Sequence, residues 1–413
     1  MNWNALETYV NRFVHEERIP SASIAVMKDG DLIYTGGFGK ACPNEHTLYG
    51  TASITKSFVA AAVIRLHEEG RLCVHDRVQD YCPEFFDREV TIEQLLTHST
   101  GVPPLERRVD LQGFDEHLQY LRDGSFSRLG APGEYMSYCN DTFLLLGAIV
   151  EKATNMSYFR CIEEFFFKPL GMNRSTFHVE MLKEMTNVST PYVQDAGEVA
   201  VTGWPELGNY AVGGGIRSTA YDVVQFVNEL ARNEERYGGM WAPRFPLDRY
   251  SQYGYGLVVT PDYDGRTVVG HGGSQPGVSS QFMFVPEEKL SLVVLTNLAD
   301  VDVGRLATPV LHTAFGLPLD KPVNEEPRME ISRPTLERLV GAYRTEESAG
   351  MIHIWTEGNQ VVAQVNGERE ELRASGETTL VIVRSGKPLN FFVHRTENRA
   401  WAVRLGMRMY VRA

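Results

Sequence analysis

Residues 51–70 begin Thr51-Ala52-Ser53-Ile54-Thr55-Lys56-Ser57-Phe58-Val59 and run on to Gly70. They read as one helix: Phe58, Val59, Ala62, Val63 and Leu66 recur at helical spacing, and Gly70 supplies the C-terminal stop. In its first turn Ser53 and Lys56 stand three residues apart, so hydroxyl and amine share one face. No other serine in the chain has a lysine three residues later. A serine hydroxyl is a poor nucleophile until a base takes its proton, and a lysine with a lowered pKa can do that. The helix N-terminus adds a field that favours developing negative charge.

Working outward, Ala22–Met27 and Leu32–Gly39 are β-rich runs joined by Lys28-Asp29-Gly30-Asp31, where Asp-Gly signals a hairpin turn. Upstream, Leu6, Tyr9, Val10, Phe13 and Val14 recur at helical spacing. Residues 75–210 are rich in helix and loop signals, with no alternating strand. Thr219 to Asp222 then reads as a capping box that opens a helix through Leu230. Strand-like runs resume at Tyr255–Thr260, Thr267–Gly270, Ser280–Val285 and Ser291–Thr296. The simplest assembly is an α/β (α+β) domain over residues 1–318. Its late strands lie beside the early hairpin in one antiparallel sheet flanked by helices, and residues 75–210 form an all-α insertion. Residues 319–334 carry Pro322, Pro327 and Pro334 among charged residues and read as a linker. Residues 335–413 hold six or more short strands separated by turns such as Glu357-Gly358-Asn359 and Asn366-Gly367, which suggests a small antiparallel, lipocalin-like β-barrel. A loop of that barrel, 346–350 or 385–388, is expected to lean over the cleft.

At 413 residues the chain suits two or three domains of about 150 residues each. Lys and Arg number 40 against 53 Asp and Glu, giving a net charge of −13. Such a balance offers no electrostatic footprint for nucleic acid. The apolar runs fall well short of the roughly 20 residues that span a bilayer. Met1–Pro20 lacks the apolar core of a signal peptide, and five cysteines form no CxxC pair, so a cytoplasmic location with reduced thiols is expected. His67-Glu68-Glu69 has no second histidine at metal spacing and no His/Cys cluster appears elsewhere, so neither metal nor cofactor is expected. The expected partner is a small-molecule or short-peptide substrate, with homo-oligomerisation left open.

Downstream of Ser53 lie Ala131-Pro132-Gly133-Glu134-Tyr135-Met136-Ser137-Tyr138-Cys139-Asn140 and then His271-Gly272-Gly273 ahead of an apolar strand. Further blocks are Leu95 to Gly101 (LLTHSTG), Lys168 to Met172 (KPLGM), Gly213 to Thr219 (GGGIRST) and Tyr253 to Gly256 (YGYG). Taken in chain order, across roughly residues 15–300, these blocks resemble the serine β-lactamase and penicillin-binding-protein superfamily, in its class C, esterase and D-aminopeptidase branch. The resemblance implies Ser53 as nucleophile, Lys56 as its activator and Tyr138 as the group that shares proton transfer and protonates the leaving group. It implies Asn140 as a hydrogen-bond partner of the substrate amide or of Lys56. It also implies an oxyanion hole from the N–H groups of Ser53 and Ser274. A phenol beside an ammonium suggests a tyrosinate–lysine couple near neutral pH.

The third motif departs from the family's Lys-Thr-Gly. Here His271 replaces the cation, Gly272 removes the hydroxyl, and Gly273 leaves room for a substrate backbone at the strand edge. The departure weighs against a β-lactamase or DD-carboxypeptidase, which remains the alternative. The expected activity is a serine hydrolase that forms an acyl-enzyme on amides or esters, with D-residue peptides or amides first and carboxylesters next. A non-catalytic scaffolding or ligand-binding relative is the reading from another class. Gly213-Gly214-Gly215 reads as a tight turn beside the site, Cys139 as core, and His98 as a structural residue at a helix end.

Overall fold

Lys28 and Asp31 close a hairpin between the strands Ala22–Lys28 and Asp31–Phe38. Asp29 and Gly30 take φ of +53° and +94°, as a type I′ turn requires. The computed structural model describes Met1 to Ala413 apart from Ala196, Ser348, Ala349, Asn359, Arg395 and Thr396. In it the hairpin forms one edge of an eight-stranded antiparallel sheet. Leu290–Thr296, Val278–Val285 and Val268–Gln275 follow in that order, and the short strands Val258–Thr260, Gln252–Tyr253 and Phe245–Pro246 complete the sheet. Leu290–Thr296 is buried at every residue because helices cover both faces. Ile24, Val26, Leu292 and Val294 pack on one side with Leu6 and Val10 of Trp3–Glu16 and Leu306 and Val310 of Gly304–Phe315. Ala25, Val293 and Leu295 face the other way, towards Ala220–Arg232 and the Ser53 helix.

Two expectations need correction. The helix does not start at Thr51: a 3-10 turn, Ala52–Ile54, precedes the α-helix Thr55–Glu68. The insertion is not all-α either, since Tyr192–Asp195 pairs with Glu198–Val201. That hairpin is too short to show strand alternation in sequence, and Tyr192 and Val199 find apolar partners only in the folded core.

Among the described residues, the C-terminal strands from Gly341–Arg344 to Arg408–Arg412 close an eight-stranded barrel. The sequence reading missed Gly341–Arg344 and Glu368–Gly376, the latter because its outward charges mask inward Leu372. The Asn359 turn falls outside the described residues. Residues 319–334 are held against the barrel: the Met329 N–H donates to the Ala374 carbonyl at 3.0 Å, and Arg373 donates to the carbonyls of Glu326 and Pro327. The barrel in turn packs on the segment that leads to Tyr138. Tyr135 meets Trp401 and Phe392 edge-on with ring centroids 5.2 and 5.5 Å apart, and Leu129 packs with Ala402 and Met409. No helix among the described residues is long and apolar enough to cross a membrane.

The Ser53 helix is buried on nearly all sides, with Phe58 stacked on Phe226 at 3.6 Å and edge-on to Phe166 and Phe167. Phe58→Ala removes the centre of this cluster from a fully buried position. We expect it to destabilise the fold by about 3–5 kcal/mol, read as a lower urea midpoint. A loss under about 1 kcal/mol would mean that the cluster does not anchor the helix.

Candidate active site

The turn that carries Ser53 is pinned from two sides. Thr51 donates to the Ile216 carbonyl through both its N–H and its Oγ1, each at 3.0 Å, and the Ile216 N–H donates to Thr55 Oγ1 at 3.2 Å. From the sheet, Ser280 Oγ donates to the Thr51 carbonyl at 2.7 Å. Ala52 has φ of +46°, a left-handed value that non-glycine residues seldom adopt, so the chain turns sharply just before Ser53. The strand Val268–Gln275 passes alongside: a Cβ on Gly273 would lie 2.5 Å from the Ser53 nitrogen. Only glycine lets the third motif approach the turn this closely. That strand pairs with Val258–Thr260 only through Gly270, so from His271 onward its edge is open on that side.

Lys56 is 2% exposed. Its Nζ lies 3.4 Å from Ser53 Oγ and donates to the Gly213 carbonyl at 2.9 Å. A Cβ on Gly213 would sit 2.7 Å from that nitrogen, which explains why the glycine-rich turn stands here. Burial, aided by the positive charges of Arg107 and Arg408, holds the amine well below the ordinary lysine range. The shift favours the neutral amine, the form that accepts a proton from Ser53.

Tyr138 is buried, with its ring 5.1 Å from Lys56 Nζ and 4.2 Å from the His98 ring. Its hydroxyl has no fully formed hydrogen bond. Proximity to Ser53 lowers its pKa, but burial outweighs this and keeps the phenol protonated. Desolvation works against the expected tyrosinate–lysine couple, because it penalises both charged forms. Asn140 opens the short helix Asn140–Phe143, and its amide donates to Glu347 Oε1 at 3.0 Å rather than to Lys56.

Ser53, Tyr138, Gly272, Gly273 and Ser274 line one cleft of about 850 Å³. His271 does not reach it. Its ring is fully buried, Nδ1 lies 2.6 Å from the Gly272 carbonyl, and Nε2 lies 3.2 Å from the Tyr253 hydroxyl. A carbonyl only accepts, so Nδ1 carries the proton and Nε2 receives the Tyr253 hydroxyl. Burial brings its pKa down to about 4, with the Lys56 charge adding to the effect. His271 is thus a neutral packing partner behind Tyr138, not a substrate-binding cation. Ser274 Oγ donates to Asp300 Oδ1 at 3.0 Å.

His98 and Cys139 keep the structural roles read from the sequence, whereas Met407 and Arg408 are not singled out by it. His98 Nδ1 accepts the Cys139 N–H at 3.2 Å and so fixes the segment on which Tyr138 sits. Cys139 is core, its thiol pushed up to about 12 by burial. From the barrel, Glu347, Lys387, Met407 and Arg408 line the cleft. Ser348 and Ala349, inside one expected loop, fall outside the described residues. Nothing local in the sequence links Arg408 to Tyr138, although its guanidinium carbon lies 5.1 Å from that ring's centroid. Among the described residues no group of three or more His, Cys, Asp or Glu stands at metal-binding spacing.

The beta-lactamase family profile matches residues 6–315. Penicillin-binding protein 4* of Bacillus subtilis (strain 168) is 26% identical over 398 residues, which covers 87% of each chain. The octameric penicillin-binding protein homologue from Pyrococcus abyssi superposes with a TM-score of 0.75 at 27% identity over 99% of both chains. A D-stereospecific amidohydrolase from Streptomyces sp. shares the fold with a TM-score of 0.64 at 23% identity, covering 75% of this chain and 98% of its own. The family match spans well over half of the chain and includes the turn, helix and strand that surround the cleft, so this chain belongs to the beta-lactamase family, within the serine β-lactamase and penicillin-binding-protein-like superfamily.

Proposed function

We propose that the protein is a serine hydrolase that cleaves amide or ester bonds of small substrates through an acyl-enzyme. The observation that carries the reading is a buried Lys56 amine 3.4 Å from the Oγ of Ser53, which lines the cleft. Ser53 Oγ attacks the substrate carbonyl while its proton passes to Lys56, and the N–H groups of Ser53 and Ser274 receive the oxyanion. Tyr138, still protonated, gives its proton to the leaving amine or alkoxide, and the Lys56 ammonium restores it. Water then attacks the acyl-enzyme as Lys56 takes its proton, Tyr138 protonates the departing Ser53 Oγ, and the Lys56 ammonium restores the phenol as the acid is released.

Within that class we place peptides or amides with D-residues first and small carboxylesters second. The similarity in fold to a D-stereospecific amidohydrolase supports the first. Carboxylated β-lactams fit less well, because Gly272 offers no hydroxyl and the neutral, buried His271 offers no charge to hold their carboxylate.

A fluorophosphonate should label the protein once, at Ser53, and Ser53→Ala should abolish both labelling and turnover of p-nitrophenyl esters while leaving the thermal transition in place. Peptide mapping that finds the label on Ser99 or Ser274 would remove the assignment. Lys56→Met should slow acylation by about 10²–10⁴-fold, the ordinary contribution of a positioned general base, with the fold intact. In a panel of D-amino-acid amides, p-nitrophenyl esters and nitrocefin, nitrocefin should be the poorest substrate. Turnover of nitrocefin as fast as that of the best amide would instead assign a β-lactamase.

A further inference from the structure

The barrel does more than cover the cleft. The Met407 carbonyl accepts the Tyr138 N–H at 2.8 Å, and the Met409 N–H donates to Ser137 Oγ at 3.1 Å. The turn between the last two barrel strands is therefore hydrogen-bonded along the segment that holds Tyr138. Between them Arg408 reaches in, placing its guanidinium carbon 5.1 Å from the Tyr138 ring centroid, the same separation at which Lys56 Nζ stands from that ring. Arg408 is paired with Glu347 through both carboxylate oxygens, with Nη2 to Oε1 at 3.1 Å, and Glu347 also accepts the Asn140 amide. Glu347 is 8% exposed and Arg408 is half-buried, so the carboxylate lies inside the site and the guanidinium reaches in from its edge.

The surroundings leave a role for such a pair. The groups that face Lys56 are Tyr138 and Cys139 from the Ser137–Asn140 segment, His98 and His271 behind them, Arg107 from the helical insertion, and Glu347 and Arg408 from the barrel. Burial keeps both histidines and the Cys139 thiol neutral. Arg107 is exposed and so screened by solvent. Glu347, buried, and Arg408, half-buried and paired with it, are left as the charges beside the base.

We infer that the C-terminal barrel is a working part of the active site, and that its Arg408–Glu347 pair sets the charge environment in which Lys56 takes the Ser53 proton. Both are positioning residues that act through Lys56 and Tyr138. The inference rests on the serine-hydrolase reading. A cation near the amine opposes its protonation and an anion favours it, so the two members of the pair act in opposite directions.

The test follows the rate of Ser53 labelling by a fluorophosphonate from pH 5 to 10, read by intact mass on the full-length protein. Arg408→Met should move the acid limb of the profile to higher pH by about one unit, since Lys56 loses a repelling charge and Glu347 is left unbalanced. Glu347→Gln should move it to lower pH, and Arg408→Lys should restore a profile close to that of the unaltered protein. A purely structural ion pair would be broken equally by Arg408→Met and Glu347→Gln, so shifts in one direction, or none, would overturn the inference. Thermal melts identify a variant that fails to fold. If Arg408→Met fails to fold, the downward shift in Glu347→Gln alone decides. Absence of any label at Ser53 in the unaltered protein would instead defeat the proposed function itself.

Discussion

Lys56 is an amine held away from water whose hydrogen bonds go to a backbone carbonyl and a hydroxyl. A charged ammonium in that position bears a desolvation penalty, so burial in the fold favours the neutral form. The surrounding structure depends on keeping that burial. Phe58, Phe166, Phe167 and Phe226 pack the helix that carries Lys56 onto the sheet. The glycine-rich turn brings the Gly213 carbonyl within reach, and the absence of a Cβ there is what permits the approach. Water admitted at any of these points would remove the desolvation that lowers the lysine's pKa.

The same desolvation decides the partners of Lys56. Tyr138 stays a phenol and His271 stays a neutral imidazole, so the heart of the site is polar but nearly uncharged. The charge that does approach comes from elsewhere in the chain. Glu347 and Arg408 are delivered by a barrel whose strands begin only after Leu339. Its docking rests on Tyr135, Phe392 and Trp401, with further bonds from Asn390 and Arg404 to the Leu247 carbonyl at 3.2 and 2.6 Å. The two bodies therefore share a wall at the cleft, and the Arg408–Glu347 pair stands in that wall.

Much of this was legible in the amino-acid sequence because the signals are local. A type I′ turn needs two residues tolerant of positive φ, and Asp29-Gly30 satisfies it. Ser53 and Lys56 lie within one turn of each other, so their proximity follows from backbone geometry alone. The strand read at Ser291–Thr296 announces itself by the unbroken apolar stretch Leu292–Leu295. Where charges decorate the outer face, as in Glu368–Gly376, the strand was lost to the sequence reading although the barrel needs it.

What the residues by themselves determined is the nucleophile–amine pair, the sheet that supports it and the small β-domain that follows. Protonation was decided only by tertiary structure, because it depends on how much water each group loses, and that is a property of the packed interior. His271 shows the difference: a histidine at the third motif suggests a cation in the cleft, whereas packing against Tyr253 and Tyr138 turns it into a buried neutral ring. Glu347 and Arg408 show it again. Asn140 and Glu347 lie 207 positions apart, and no spacing rule reaches so far. Only closure of the barrel and its docking on Tyr135 bring them to the same few ångströms around Tyr138.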